Sequence, residues 1–407
     1  MISIDEALAH YARHLRPLPV VQCPPAEALG RVLAHPPCAA TDLPPFDQSA
    51  VDGYALHSRD LHAATPSQPV WLPVVGEVAA GVAHPPALAP GTAVRIFTGG
   101  PIPPGADTVA RQEIVTREGD RIALQQALAP AADLRRRGEE LAAGTALAAA
   151  GTRVTPGVVA ALAMAGVDTV AVHRPPRLAL LVTGDEVGRP GQALQPGQIY
   201  DANGPLLQAW CQSRDGSAPA VQFVPDTLSA VRAALEQALA SADLVLTTGG
   251  VSVGDRDFIR EAAAGLGVEE VFWRVRQKPG MPLYFGVRGD AAILGLPGNP
   301  GAVMVGLHLH AERALSWLEG SGDQRPRWRR GRLAAPTRGD AVRELLVRMR
   351  VHHDEDGVAR LTPLGRQASH MLSNLTEANA LVRVAAPSLA VDASVEWLPL
   401  SGDPAPI

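Results

Sequence analysis

The feature that most restricts this chain is the alternation of short apolar runs with helical patterns over residues 175–320. RLALLVTG, AVQFVP, ADLVLTTGG and AAILGLPGNP are branched and apolar over strand lengths. Between and after them lie NGPLLQAWCQS, DTLSAVRAALEQALASA, DRDFIREAAAGLG and GAVMVGLHLHAERALSWLEG, whose apolar residues recur at helical spacing. VEEVFWRV and MPLYFGV are also strand-like. Such alternation predicts a parallel sheet covered on both faces, with ligands at the carboxyl ends of its strands.

The flanking regions read differently. MISIDEALAHYARHL predicts an amphipathic helix and lacks the basic start and apolar core of a signal. From Asp42 to Arg137, runs such as WLPVVGEV, TAVRIFTG, DTVARQEIV and DRIALQQAL stand between Gly/Pro turns and predict a small β domain. TPGVVAALAMAGV predicts a helix opened by Thr155 with Pro156 in its first position. After the basic linker DQRPRWRRGR, strand-length runs from Leu333 onward predict a second small β domain. The expected fold class is therefore multidomain α/β plus β, and 407 residues with 46% hydrophobic content suffice for several cores.

A net charge of −5 gives no support to nucleic-acid or anionic-membrane binding, and no apolar run has membrane-spanning length. Cys23, Cys38 and Cys211 are too scattered for a disulfide framework or a structural zinc site, which fits a reducing, cytoplasmic setting.

Three turns fall at expected strand ends and should converge on one sheet edge: VTGDEVGRPG, TTGGVSVGDRDF and LGLPGNPGAV. Gly249, Gly250 and Gly254 permit close backbone approach, so the turn fits either a phosphate or plain turn chemistry. Asp185, Glu186, Asp255 and Asp257 would repel an anion unless a cation stood between them. Mg²⁺ shared by carboxylates and phosphate resolves that conflict; helix capping and solvated surface are the alternatives. PGNP fixes the backbone at Pro297 and Pro300 and leaves Asn299 to read a ligand or to make an Asx turn. Lys278 in RQKPG, with Arg274 and Arg276 nearby, fits either an oxyanion site or an exposed basic strand. LPPFDQSAVDGYAL, with Asp47, Ser49 and Asp52, is either a rigid presenting loop or an Asx/ST-turn cluster. RIFTGGPIPPGADTV, carrying Thr98, is a similar locked loop, and RRRGEEL is a charged junction.

In this order, PFDQSAVDGYA, RIFTGGPIPPGAD, RRRGEEL, TGDEV, GQIYDANGPLL, TTGGVSVGDRDF, KPGMPL, GLPGNP and ASHMLSNLTEANALV resemble the molybdopterin molybdenumtransferase family, to which the C-terminal domain of gephyrin belongs. The resemblance runs from about residue 40 to 385. It implies an elongated homodimer with a discontinuous domain (1–42 and 138–172), an inserted β domain (43–137), a parallel-sheet pterin-binding α/β domain (173–322) and a C-terminal β barrel (328–407). It implies Mg²⁺-dependent insertion of molybdate into adenylylated molybdopterin, releasing AMP. The implied partners are the upstream adenylyltransferase and the downstream molybdoenzyme chaperones.

Residue by residue, the resemblance places Glu186 and Asp257 at the metal and pyrophosphate, and Asp226 at the pocket edge. Asp52 and Thr98 match a polar loop that in this family faces the pocket across the dimer. Lys278, Arg348 and Ser369 match the oxyanion pocket. Gly249, Gly250, Ser252, Pro297, Gly298, Asn299 and Pro300 match the substrate-binding turns. Departures are Met281 for a usual lysine, Ala302 for a common serine, Glu140 for an aspartate and Gly100 for an alanine. The first two remove oxyanion donors, and Arg274 and Arg276 are the candidates to compensate, a role the sequence alone does not assign. Rival readings are a divergent paralogue that binds the pterin nucleotide but handles tungstate or performs no insertion, and a scaffold that presents the fold to a protein partner.

Overall fold

The computed structural model describes residues 1–252, 254, 257–322 and 326–400. At its centre is a six-stranded sheet in the order Val221–Val224, Leu178–Thr183, Leu244–Thr248, Ala291–Leu296, Tyr284–Arg288, Glu269–Trp273. The first four strands are parallel, with Leu180 beside Val221, Leu178 beside Leu244, and Leu244 beside Ala292. Every residue of Leu244–Thr248 and Ala291–Leu296 is buried, as strands covered on both faces require. The two-residue period splits them between two cores: Leu180, Leu246 and Leu294 on one face, Leu181, Val245 and Ile293 on the other.

The fifth strand runs antiparallel to both its neighbours, where the sequence pattern predicts parallel strands throughout. Only Gly289 and Asp290 separate Arg288 from Ala291, and Gly289 adopts φ 58°. So short a connection can join only antiparallel neighbours. Because Tyr284 pairs with Gly295, the loop 274–283 opens on the same edge as the carboxyl ends of the parallel strands.

The N-terminal helix Ile4–His14 begins with a capping box between Ser3 and Glu6. Its buried face, Ile4, Ala7 and Tyr11, packs with Phe272, Phe285 and Leu315, so it shares the core of the α/β unit. Further on, Val20–Cys23 pairs antiparallel with Val170–His173, near the helix Pro156–Met164, whose N-cap Thr155 accepts from the Val158 N–H. Between those strands the chain makes a six-stranded sheet running Thr108–Arg111, Gly53–Leu56, Ala93–Ile96, Val70–Val78, Arg121–Leu124, Thr116–Glu118. Glu319 binds Arg153 at 2.5 Å and Arg214 at 2.7 Å, tying this half of the chain to the α/β unit.

Five strands close a C-terminal barrel: Arg329–Leu333, Glu344–His353, Ala359–Pro363, Ala380–Val384 and Ser394–Pro399. Met349, Leu361, Val382 and Trp397 fill it. The short strand Gln277–Lys278 pairs in parallel with Glu344 and Leu345, so the barrel docks on the loop 274–283. No helix among the described residues is long and apolar enough to cross a membrane.

Candidate active site

The carboxyl edge of the parallel strands opens into a cavity of about 900 Å³, within the range that small-molecule ligands occupy. The turns after Thr183, Thr248 and Leu296 meet in it. Thr183 Oγ1 donates to the Thr248 carbonyl at 3.3 Å, so two of these turns leave from adjacent strands at the point where strand order reverses. Gly249 has φ 83°, and a Cβ there would stand 2.7 Å from Thr183 Oγ1, so glycine is required for the turn to pass this close. A Cβ on Gly298 would lie 3.9 Å from Gly249 Cα, which puts the PGNP turn against the glycine turn. Asn203 Nδ2 donates to the Gly298 carbonyl at 2.7 Å, while its Oδ1 is buried with no partner in the protein.

Of the residues singled out in the sequence, Glu186, Asp226, Asp257, Gly249, Gly250, Ser252, Pro297, Gly298, Asn299, Pro300, Lys278 and Ser369 line this one cavity. Asp257 accepts the Gly254 N–H at 2.5 Å, which shapes the glycine turn. Asp226 and Asp185 exchange backbone N–H to carboxylate bonds at 3.1 and 3.3 Å, locking the two loops at the rim. Asp255 lies outside the described residues. Among the described residues no group of three His, Cys, Asp or Glu side chains is close enough to cage a metal. Two carboxylates beside a phosphate-sized turn, with oxygen donors alone, fit Mg²⁺, which fills its shell with substrate phosphates and water.

The opposite end of the cavity is basic and is shared with the barrel. Lys278, Arg343, Gln367, Ser369 and His370 line it, and Gly301 donates its N–H to the Ser369 carbonyl at 2.8 Å. Lys278 and Gln367 also line an adjoining cavity of about 280 Å³, whose further wall includes Arg338 and Arg348. Arg348 does not reach the main cavity: it is 1% exposed, and its guanidinium donates to the carbonyls of Leu346 and Gln367. Its Nε is buried without a partner, and no carboxylate reaches it among the described residues. Burial pushes its pKa down to about 10, which leaves it cationic at neutral pH. A buried cation with a spare N–H is a place for an anion.

Asp52 and Thr98 do not line either cavity. They meet each other instead, the Thr98 N–H and Oγ1 both donating to Asp52 Oδ1 at 2.8 Å, and those bonds hold the Asp52 carboxyl below its ordinary pKa. The candidates to compensate for the missing lysine are not in the lining either. Arg274 lies over the Trp273 ring at 4.1 Å, and Arg276 is absent from the lining, so neither replaces the cation lost at Met281. Met281 and Ala302 do line the cavity. Arg343, which carries no motif signal in the sequence, lines that end along with Lys278, its guanidinium paired with Asp340 at 3.0 Å.

Other lining residues stand out only once the chain is folded. Asp201 and Asn203 sit in the quoted GQIYDANGPLL, where Asp201 accepts from the N–H groups of Asn203 and Gly204 at the start of the helix Asn203–Asp215. Gln277 stands beside Lys278 and looks unremarkable in sequence, yet it is fully buried.

The chain matches three family models in succession: "MoeA N-terminal region (domain I and II)" over residues 2–166, "Probable molybdopterin binding domain" over 179–317, and "MoeA C-terminal region (domain IV)" over 330–400. It is 34% identical to molybdopterin molybdenumtransferase 2 of Mycobacterium tuberculosis, over 94% of this chain and 95% of that one. A molybdopterin molybdenumtransferase of Nostoc sp. is 36% identical, over 87% of this chain and 82% of its own length. Among solved structures, a molybdopterin biosynthesis MoeA protein from Pyrococcus horikoshii superposes with a TM-score of 0.83 at 27% identity, covering 98% of this chain and all of the other.

Proposed function

The chain belongs to the molybdopterin molybdenumtransferase family, and we propose that it inserts molybdate into adenylylated molybdopterin, releasing AMP. The observation that carries this reading is the pair of adjoining cavities joined at Lys278 and Gln367. One is large, with glycine turns and carboxylates; the other is small and basic, with the unsatisfied guanidinium of Arg348 in its wall.

In this reading the pterin nucleotide lies along the sheet edge. The backbone of Gly249, Gly250 and Ser252 approaches its pyrophosphate, and the turn Pro297–Pro300 holds the ring end, with Asn203 Oδ1 and the Asn299 side chain set to meet polar edges. Glu186 and Asp257 would hold Mg²⁺, which supplies charge neutralisation to the phosphates and the departing AMP. Lys278, Arg348 and Ser369 hold the oxyanion beside the dithiolene sulfurs, where fixed donors need no reorganisation as charge moves. Asp52 and Thr98, absent from the lining of their own chain's cavity, would complete a partner's site in a homodimer. We place the reaction in the cytoplasm, between the adenylyltransferase that supplies the nucleotide and the molybdoenzyme chaperones that take the product.

The test is AMP release from adenylylated molybdopterin by the purified protein with Mg²⁺, in the presence and absence of molybdate and of tungstate. Release that requires molybdate supports the reading. Nucleotide binding with no oxyanion-dependent release would make the chain a pterin-nucleotide binder instead.

A further inference from the structure

A chain of buried polar side chains runs from the N-terminal helix to the turn that carries Lys278. His310 is fully buried in the π-helical turn Leu307–Ala311, a distortion that often marks functional sites. Its Nδ1 lies 3.1 Å from the Tyr11 hydroxyl and its Nε2 2.8 Å from Gln277 Oε1. Gln277 Nε2 in turn donates to the carbonyls of Pro279 and Gly280, each at 3.3 Å.

The protons follow by elimination. Carbonyl oxygens only accept, so the Gln277 amide nitrogen faces Pro279 and Gly280 and its oxygen faces His310. That oxygen also only accepts, so His310 carries its hydrogen on Nε2. Its Nδ1 lone pair is then left to accept the Tyr11 O–H. Every bond in the chain points the same way, from the core to the cavity.

The end of the chain lies where an anion is expected. Pro279 and Gly280 line the cavity together with Lys278, and carbonyl oxygens turned toward an oxyanion would repel it. We propose that Tyr11, His310 and Gln277 are positioning residues for the oxyanion step: they draw the Pro279 and Gly280 carbonyls inward and so leave Lys278 and the backbone N–H groups of its turn to the anion. This rests on the oxyanion reading of the basic end.

The experiment compares wild type with Tyr11→Phe, His310→Gln and His310→Leu. Tyr11→Phe keeps the ring that packs edge-on against Phe285 at 4.8 Å and removes only the hydroxyl. It frees the imidazole to move its hydrogen to Nδ1, which sets a lone pair against Gln277 Oε1. The molybdate concentration for half-maximal AMP release should rise about fivefold in Tyr11→Phe, the effect of one net hydrogen bond, and further in His310→Leu. Affinity for the pterin nucleotide and kcat at saturating molybdate should stay within about twofold, again on the scale of less than one hydrogen bond. His310→Gln, which can still donate to Gln277, should fall between. Equal losses for nucleotide and oxyanion, or none, overturn the proposal.

Hydrogen exchange at the amides of Lys278, Gly280, Met281 and Leu283 in ligand-free protein separates this from the functional reading. Faster exchange there in Tyr11→Phe, with the rest of the sheet unchanged, supports the chain even if wild type shows no molybdate dependence. Unchanged exchange in that variant overturns it, whatever becomes of the activity. Should His310→Leu fail to fold, Tyr11→Phe decides alone.

Discussion

Gly301 donates its N–H to the Ser369 carbonyl at 2.8 Å, and a Cβ on Gly301 would stand 2.7 Å from that same oxygen. The start of the long helix and the barrel loop therefore touch backbone to backbone. Gly301→Ala should push the Ser369 loop away from the cavity, cost about 1–3 kcal/mol of stability as overpacking does, and lower AMP release. Denaturant titration alongside activity checks both. An alanine variant with unchanged midpoint and rate would show that the contact is dispensable.

The carboxylates should separate binding from chemistry. Glu186→Gln and Asp257→Asn keep size and hydrogen bonding while removing charge. We expect Mg²⁺-dependent AMP release to fall on the order of a hundredfold in each, the loss typical of one fixed electrostatic contact in a transition state. Calorimetric titration with Mg²⁺ and the nucleotide should show the loss in the metal term. Full activity at limiting Mg²⁺ in either variant would remove that residue from the metal site.

Arg348 is predicted to behave unlike an ordinary buried residue. A buried cation without a carboxylate is costly, so replacing it with an apolar side chain of similar length is often neutral or stabilising. Arg348→Met should therefore leave the melting temperature unchanged or higher, while raising the molybdate requirement at least about tenfold through loss of a charged donor. A variant that unfolds but, when folded, keeps its molybdate dependence would make Arg348 structural.

The placement of Asp52 outside the cavity of its own chain gives the dimer a direct test. Mixing two inactive variants, Asp52→Ala and Asp257→Ala, and allowing subunits to exchange should restore about a quarter of wild-type activity, because half of the dimers then carry one intact site out of two. No recovery after demonstrated exchange would confine the site to single chains.

His310 sets a pH dependence of stability. Burial pushes its pKa down to about 3, against about 6.5 in an unfolded chain. Between those values the unfolded chain binds the extra proton, so stability rises with pH, by up to about 1.4 kcal/mol per unit from this group. Stability should therefore decline as pH falls from about 6.5 toward 4.5. His310→Gln should flatten that slope by about one proton. Denaturant midpoints measured across the window decide it.

Much of this architecture is legible in the chain because its signals are local. The runs LALLVT, DLVLTT and AILGL announce buried parallel strands, and each leads straight into glycine or proline, so the cavity's three turns can be named from the sequence. What sequence periodicity does not carry is which surface an element meets. The apolar face of Ile4–His14 says nothing of Phe285. Arg348 alternates with apolar residues like a solvated charge on a strand, yet on the face opposite the barrel-filling Val347 and Met349 it is covered by the segment that carries Gln367. Arg274 and Arg276 flank the right segment, but their loop leads into Tyr284–Arg288, the strand whose antiparallel direction is decided by the tight turn at Gly289, well downstream.

The pairing of Gln277 and Lys278 with Glu344 and Leu345 divides the labour of the cavity between the α/β unit and the barrel. A fragment ending before the barrel would retain every glycine turn and both carboxylates, and so the grammar of nucleotide recognition. It would lose the neighbouring strand that holds its cation, together with Ser369 and Arg348. In the proposed reading, gripping the pterin falls to the α/β unit by itself, whereas handling the inorganic ion is lodged at a seam and depends on the barrel staying in place.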